Sequence, residues 1–489
     1  MRFKIFSKNA DQVASPSVDD LKYLEVRYSE WLISPERQEM LTAEAYYDGT
    51  QDIKDKQRTA IGSDGNPVVV SNLPNNIIVD NQYRKCVDQK ANYALSKPLT
   101  IATEDDSYTE NLQKIFCKKN NKQMKRLARS AINGGLAYLF PYIDGIGMLR
   151  FKVFPSYEVM PIWEDHEHDT LVSAVRGYMA QEWRNGSLHD VEHIEVYTDK
   201  GVDCFIRRGG KFTPEAIPHK DYLISKDGTP YNWGRLPIIA FKYNDKEIPL
   251  IRNVKCLQDA INRILSTFQD NLEEDPRNTI LVLENYDGTN LGEFRHNLAT
   301  YGAVKVHTVD GVKGGVNALS VEVNAENYKS ILIQLKRALI ENARGFDAKE
   351  ERMDGDPNQM NIQSMYSDID LDIDGMENEF QCGFEELIGF INQYLVSIGE
   401  KDYSEQNVEF IFDRNIMINE GEAIQNCMTS KGVISDETIM AHHPWVVDLA
   451  KEKRQVASEH QDELAEMTAF ANETTDNTTS TDESDGDNE

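Results

Sequence analysis

The chain has 489 residues, enough for about two to four packed units, and an apolar share of 40% to fill their cores. Its 82 Asp and Glu against 52 Lys and Arg leave a net charge of −30, which excludes a general nucleic-acid binder, because that needs clustered cations to displace phosphate counterions. Six cysteines without a CxxC pair read as reduced thiols in an intracellular setting, and no apolar run suits a signal peptide or a membrane span.

Helical spacing covers residues 17 to 47, and Gly49 in AYYDGTQDI stops it. Gly62, Gly65, Pro67 and Pro74 then predict an extended arm. The helical pattern returns over 78–95, stopping before Pro98, and over 107–132, ending at Asn133-Gly134-Gly135. In the latter helix Lys122, Lys125, Arg126 and Arg129 share one face, opposite Leu127 and Ile132. That face is either solvated or a contact for phosphate or an acidic neighbouring subunit. Strands follow: LAYLFPYIDGIGMLRFKVF predicts a hairpin turning at Asp144-Gly145, and TLVSAVRGYMAQEW, DVEHIEVYT and VDCFIRR continue an antiparallel sheet. The first half is therefore α+β. EDHEHD, at 164–169, offers His166, His168 and Glu164 as a metal set, but Pro161 before it and a strand after it favour an acidic turn.

IRNVKCLQDAINRILSTFQDNLEEDP places Val254, Leu257, Ile261, Ile264, Phe268 and Leu272 on one stripe of a helix that ends before Pro276. A second stripe runs through Tyr328, Ile331, Leu335 and Leu339, with Gly345 as its stop. Between them lies a small βαββ module. The loop FDAKEERMDGDPNQMN leads to the longest helix, with Ile369, Ile373, Met376, Phe380, Phe384, Leu387, Ile391 and Leu395 at helical spacing. Within it DIDLDIDG imitates a calcium loop, yet the twelfth position holds Gln381 where a bidentate Glu belongs. In KGVISDETIMAHHPWVVD, Ser435 is an N-cap and Pro444 ends a short helix; His442 and His443 point about 100° apart and cannot share one metal as residues four apart could. The end of the chain, 471–489, has no Lys or Arg and no large apolar residue, a composition that predicts disorder. No GxxxxGK[ST] or GxSxG motif occurs. The residues provide no catalytic nucleophile, no metal set and no cofactor signature.

This order of parts resembles the portal proteins of tailed bacteriophages. FDRNIMINEGEAIQNCMTSKGVISDETIMAHHPWVVDLAKEKRQVASE is the most specific segment, similar to the family's C-terminal pattern of Arg-Asn, a helix, Gly-x-Ile-Ser-x-Glu-Thr, a Pro-x-Val-x-Asp turn and a charged helix. AYYDGTQDI, VDQKANYALSKPLTI, LQDAINRILSTFQDNLEE and RNTILVL support it, so that the resemblance spans roughly 17 to 460 and is strongest to the branch from long-tailed phages of Gram-positive hosts. Gln363-Ser364-Met365-Tyr366 departs from the Ser-Gly and Ala of many relatives, at the place where they bend.

The resemblance implies an α+β wing with an N-terminal arm over 1–250, a stem helix over 251–275, a βαββ clip over 276–324, a second stem helix over 325–345, a tunnel loop over 346–361, a long wing helix over 362–400, a helical crown over 401–470 and the acidic tail. Val254, Leu257, Ile261, Ile264, Phe268, Ile331 and Leu335 would then pack the stem, while Glu293, Arg295 and His296 would dock the clip. Lys349, Glu350, Glu351, Arg352, Asp354 and Asp356 would face the channel. The implied function is non-enzymatic: a homo-oligomeric ring of twelve subunits at one capsid vertex, assembled in host cytoplasm, passing double-stranded DNA without sequence-specific binding. Its implied partners are the large terminase ATPase, the major capsid and scaffolding proteins and the head-tail adaptor, with no membrane and no cofactor. Two rival readings are an acidic metal-dependent enzyme built on 164–169 and another structural adaptor of the virion.

Overall fold

The helical spacing at the start of the chain resolves into two helices, α1 (Leu21–Leu32) and α2 (Pro35–Tyr47). Proline breaks a helix from inside but suits its first turn, and the Ser34 hydroxyl accepts from Arg37 N at 3.2 Å, so the chain stops and restarts there. This computed structural model describes residues 21–461 apart from 62–64, 72, 96, 98, 185, 226, 275–278, 285–289, 291–295, 297–307, 310–311, 314, 321–324, 348–358, 413, 415–419, 447–448, 450–451 and 460. Two units divide the chain: Met1–Asp347 with Asp368–Asn415, and Ala348–Ser367 with Ile416–Glu489.

In the first unit, a ribbon of β1 (Thr59–Ile61) and β2 (Pro67–Val69) precedes an extended segment and α3 (Gln82–Ala94), which Asn81 caps by accepting from Arg84 N at 3.0 Å. After β3 (Thr100–Ala102), the pattern read as one helix over 107–132 is again two, α4 (Asp106–Ile115) and α5 (Lys118–Gly134). Gly135 ends α5 with φ 80°. A Cβ there would lie 2.0 Å from the Glu247 carbonyl oxygen, so only glycine permits the left-handed turn into the sheet.

That sheet joins β4 (Leu136–Ile143) and β5 (Leu149–Phe154) as a hairpin, whose turn Asp144 holds by accepting from Ile146 N at 3.1 Å and Met148 N at 3.0 Å. An antiparallel meander follows in sequence order: β6 (Val159–Trp163), β7 (Leu171–Arg184), β8 (Ser187–Thr198), β9 (Gly201–Arg208) and β10 (Lys211–Lys220). Leu24 and Tyr28 of α1 bury themselves against Val175, Ile194 and Phe212 of this meander. The small ribbon β11 (Leu223–Ile224) and β12 (Pro230–Tyr231) leads to β13 (Ile239–Lys242), which completes the first sheet on the free side of β4.

Next come α6 (Ile251–Glu274), β14 (Thr279–Glu284), the β15 (Thr308–Val309) and β16 (Val312–Lys313) pair, β17 (Gly315–Ser320) antiparallel to β14, and α7 (Ala325–Asn342). Apart from His296, the helix expected over LGEFRHNLATYG lies outside the described residues. The longest helix, α8 (Gln359–Ile398), spans 40 residues without interruption, through Gln363-Ser364-Met365-Tyr366. All eight apolar residues of its predicted stripe are buried. Phe380 and Phe384 meet Phe241 of β13 at ring distances of 5.1 and 5.3 Å. Gly383 lets them close, since a Cβ there would stand 2.7 Å from the Phe241 ring. Finally β18 (Glu409–Ile411) pairs with β3, stacking Phe410 on Phe384 at 4.4 Å.

The second unit contains α9 (Glu420–Thr429), α10 (Asp436–His442) and a helical stretch over 452–459. Ser435 accepts from Thr438 N at 3.2 Å, and Asp436 and Glu437 lie in the first turn, where the helix dipole favours them. His442 bonds within its own helix: its Nδ1 lies 2.9 Å from the Thr438 carbonyl one turn back. Ser435→Ala should weaken this helix by about 1 kcal/mol, speeding hydrogen exchange over 436–442 by roughly fivefold; unchanged exchange would show that the cap contributes nothing.

Candidate functional site

The two helices that the sequence marks by apolar stripes, α6 and α7, lie against each other, with the Phe268 and Tyr328 rings 4.9 Å apart and Asn271 Nδ2 donating to the Tyr328 hydroxyl at 3.1 Å. Val254 and Ile261 are fully buried, whereas Leu257, Ile264, Phe268 and Leu335 are half-buried and Ile331 is 49% exposed. The apolar stripe thus accounts for only part of what α6 covers in one chain.

The remainder is polar. Gln258, Asn262, Ser266 and Asp270 are each 0% exposed and succeed one another at intervals of four. Four helical residues climb about 6 Å, and two residues of extended chain climb about 6.6 Å, so side chains four apart on a helix can reach alternate amides of a strand laid along it. This is what α6 does to the segment 76–83. Asn76 N donates to Asp270 Oδ1 at 2.6 Å, Ile78 N to Ser266 Oγ at 3.0 Å, and Asp80 N to Asn262 Oδ1 at 3.0 Å. Tyr83 N, one of the unpaired amides at the start of α3, donates to Gln258 Oε1 at 3.0 Å, and Gln258 Nε2 returns a bond to the Asp80 carbonyl at 2.7 Å. The segment runs antiparallel to α6 and is held as if by a neighbouring strand.

Asp270 closes the ladder. Besides Asn76 it takes the Lys56 ammonium, with the Arg58 guanidinium 3.7 Å away, and Lys56 also donates to the Asn76 carbonyl at 3.1 Å. Burial pushes this carboxyl up, but the Asn76 amides and Lys56 outweigh it and hold the group below the ordinary aspartate range. At the other end Lys255 joins Asp52 at 2.5 Å and Asp259 at 2.9 Å, and Lys336 of α7 reaches Asp80 at 2.6 Å. The site can therefore bind α6, α7, the arm and the start of α3 into one body; it offers no nucleophile.

The acidic run that imitates a calcium loop lies within α8 and is spent on cations of the chain itself. Arg414 meets Asp370 at 2.8 Å and Asp374 at 2.6 Å and also engages Glu377, while Lys90 and Tyr243 reach Asp372 at 2.5 and 2.6 Å. A calcium loop needs a non-helical backbone, which these residues do not have. In the turn at 164–169, Asp165 accepts from Asp169 N and Thr170 N at 2.9 and 2.8 Å, and His168 bonds Glu247 and stacks on Trp163. Among the described residues no group of three or more His, Cys, Asp or Glu side chains is placed to hold a metal ion.

On α5, Lys122, Lys125 and Arg126 are exposed, but Arg129 turns to Tyr47, donating to its hydroxyl at 3.3 Å. His296 is exposed. Glu293, Arg295, Lys349, Glu350, Glu351, Arg352, Asp354 and Asp356 lie outside the described residues. Among the described residues no helix is long and apolar enough to cross a membrane.

Comparison with known proteins gives these elements a context. The family model for phage portal proteins, SPP1 Gp6-like, matches residues 34–466. The chain is 26% identical to the portal protein of Bacillus phage SPP1, across 95% of this chain and 90% of that one. It is 27% identical to the portal protein of Clostridium phage phiCD119, across 86% and 92%. Among solved structures, a chain in the virion of a native gene transfer agent particle matches with a TM-score of 0.38 at 9% identity, over 73% of this chain and 87% of that one. The chain belongs to the phage portal protein family, in its SPP1 Gp6-like branch.

Proposed function

We propose that the protein assembles into a closed ring of about twelve copies at one vertex of the capsid, where DNA enters on packaging and leaves on ejection. The observation that carries this reading is the family match across residues 34–466. Portal proteins are structural components of the virion, so the protein is not an enzyme. Its finer roles follow from the same reading: assembly in the host cytoplasm, docking of the large terminase ATPase and of a head-tail adaptor through the β14–β17 region with Glu293, Arg295 and His296, and contact with major capsid and scaffolding proteins. The stripe Val254, Leu257, Ile261, Ile264, Phe268, Ile331 and Leu335 belongs to the stem, and the surface left on Ile331 suits packing against a second copy. The exposed Lys122, Lys125 and Arg126 suit an acidic neighbour in a chain with a net charge of −30.

The tunnel loop expected over 346–361 ends, in this reading, where α8 begins at Gln359. Lys349 and Arg352 touch phosphates transiently, and Glu350, Glu351, Asp354 and Asp356 prevent lasting attachment, so DNA slides. Glu350→Lys combined with Glu351→Lys should leave rings intact and reduce the DNA retained per capsid severalfold, because reversed charges repeat around the ring. Normal filling through well-formed mutant rings would contradict control of passage by this loop's charge.

A further inference from the structure

Three helical pieces make up residues 420–461, and among the described residues there not one is buried. Helices α9 and α10 have 10 and 7 residues, below the roughly 12–15 that even favourable sequences need to persist alone in water. They require packing that the described residues of this unit do not supply. Two surfaces of this unit are complementary. One is a cleft of about 380 Å³ between α9 and α10, with Ala423, Cys427, Ile434 and Ile439 as apolar lining and Asn426 and His442 at polar positions. The other is Trp445, just beyond α10, which is 70% exposed and stands edge-on to the His443 ring, at 5.5 Å between centroids.

Resting on the ring proposed above, we infer that Trp445 of each copy enters the α9–α10 cleft of the next copy. The cleft lies at the small end of the range for one compact apolar group, about 300–1,000 Å³. Tryptophan is the side chain most enriched at the anchoring points of interfaces, and its indole N–H needs an acceptor when covered; the Asn426 side chain and the Ser430 hydroxyl on the cleft wall provide one. Knob and hole reside on the same unit, and the knob does not fill the hole of its own chain. A contact of this kind is heterologous, the type that repeats head to tail in a ring when the rotation between copies completes a circle. The occupant is thus a second copy of this chain.

The cleft carries its own reporter, since Cys427 is one of its lining residues. Full-length Trp445→Cys, assembled and treated with oxidised glutathione, should give a ladder of disulfide-linked multimers on a non-reducing gel, and Trp445→Cys with Cys427→Ser should lose it. Because the exposed Cys256 and Cys382 remain in the second variant, a ladder that persisted there would show that the bond runs through them and not through Cys427. A disulfide closed within single chains, or rings that form yet yield no ladder, would overturn the assignment. Ring formation by the unsubstituted chain, scored separately by electron microscopy, distinguishes failure of this contact from failure of the ring reading.

Discussion

Asp270→Ala is expected to destabilise the protein by about 3–5 kcal/mol, the usual cost of removing one member of a buried charge pair. The carboxylate is 0% exposed and is the common partner of Lys56, Arg58 and the Asn76 amides. Its loss leaves the Lys56 cation without its counter-charge, with only the Asn76 carbonyl among the described acceptors, and the Asn76 amide without its acceptor, so the arm loses the end of the ladder that fixes its register on α6. Asp270→Asn keeps an acceptor for Asn76 N but not the charge, so it should fall between alanine and the natural residue. The pH dependence has a definite sign. Because the folded carboxyl titrates below its ordinary value, its stabilisation is fully present above the unfolded value near 4 and disappears as the pH falls through the lower folded value. Denaturant unfolding at neutral pH checks the first claim, and a loss under about 1 kcal/mol would contradict the role of Asp270 as the ladder's anchor.

The second large effect is asymmetric. Asp372→Ala should also cost about 3–5 kcal/mol, while Lys90→Met should be near neutral. Lys90 is 0% exposed, and burial pulls its ammonium pKa down against the opposing pull of Asp372. Without Asp372 it retains only the Arg344 carbonyl, at 3.2 Å. Asp372 is better provided: without Lys90 it keeps the Tyr243 hydroxyl at 2.6 Å and the Arg344 guanidinium at 3.7 Å. Methionine replaces the lysine stem by apolar volume and removes the cation that needs a partner. Equal losses from the two substitutions, measured by the same unfolding experiment, would show that the pair acts only as an ion pair.

These two sites mark where the sequence could and could not be read. The apolar stripe of α8 was legible because eight residues at helical spacing leave one buried face. On α6 the same rule finds Val254 and Ile261 and treats the intervening positions as an outward face. Yet Gln258, Asn262, Ser266 and Asp270 face inward, because the partner there is an extended backbone whose amides need acceptors. The interval of four was visible; the extended segment that uses it was not, since it belongs to residues 76–83. Distance along the chain also concealed the pairing of β3 with β18 and the cations that claim Asp370, Asp372 and Asp374. Strand β10 escaped because Pro214 and Pro218 argue against a strand, and an edge position tolerates them. Pro35 was available as a signal that one helix should be two. The tunnel-loop and clip residues rest on the family resemblance alone.

If the proposed ring exists, the arm, α6 and α7 of each copy form one element of it. Electron microscopy of the purified full-length protein tests it most directly. Closed rings with a central channel, viewed end-on, are the expected result, with the long axes of α6 and α7 from successive copies arranged around it. Dispersed single chains under conditions where the protein is folded, or closed particles without a channel, would contradict it.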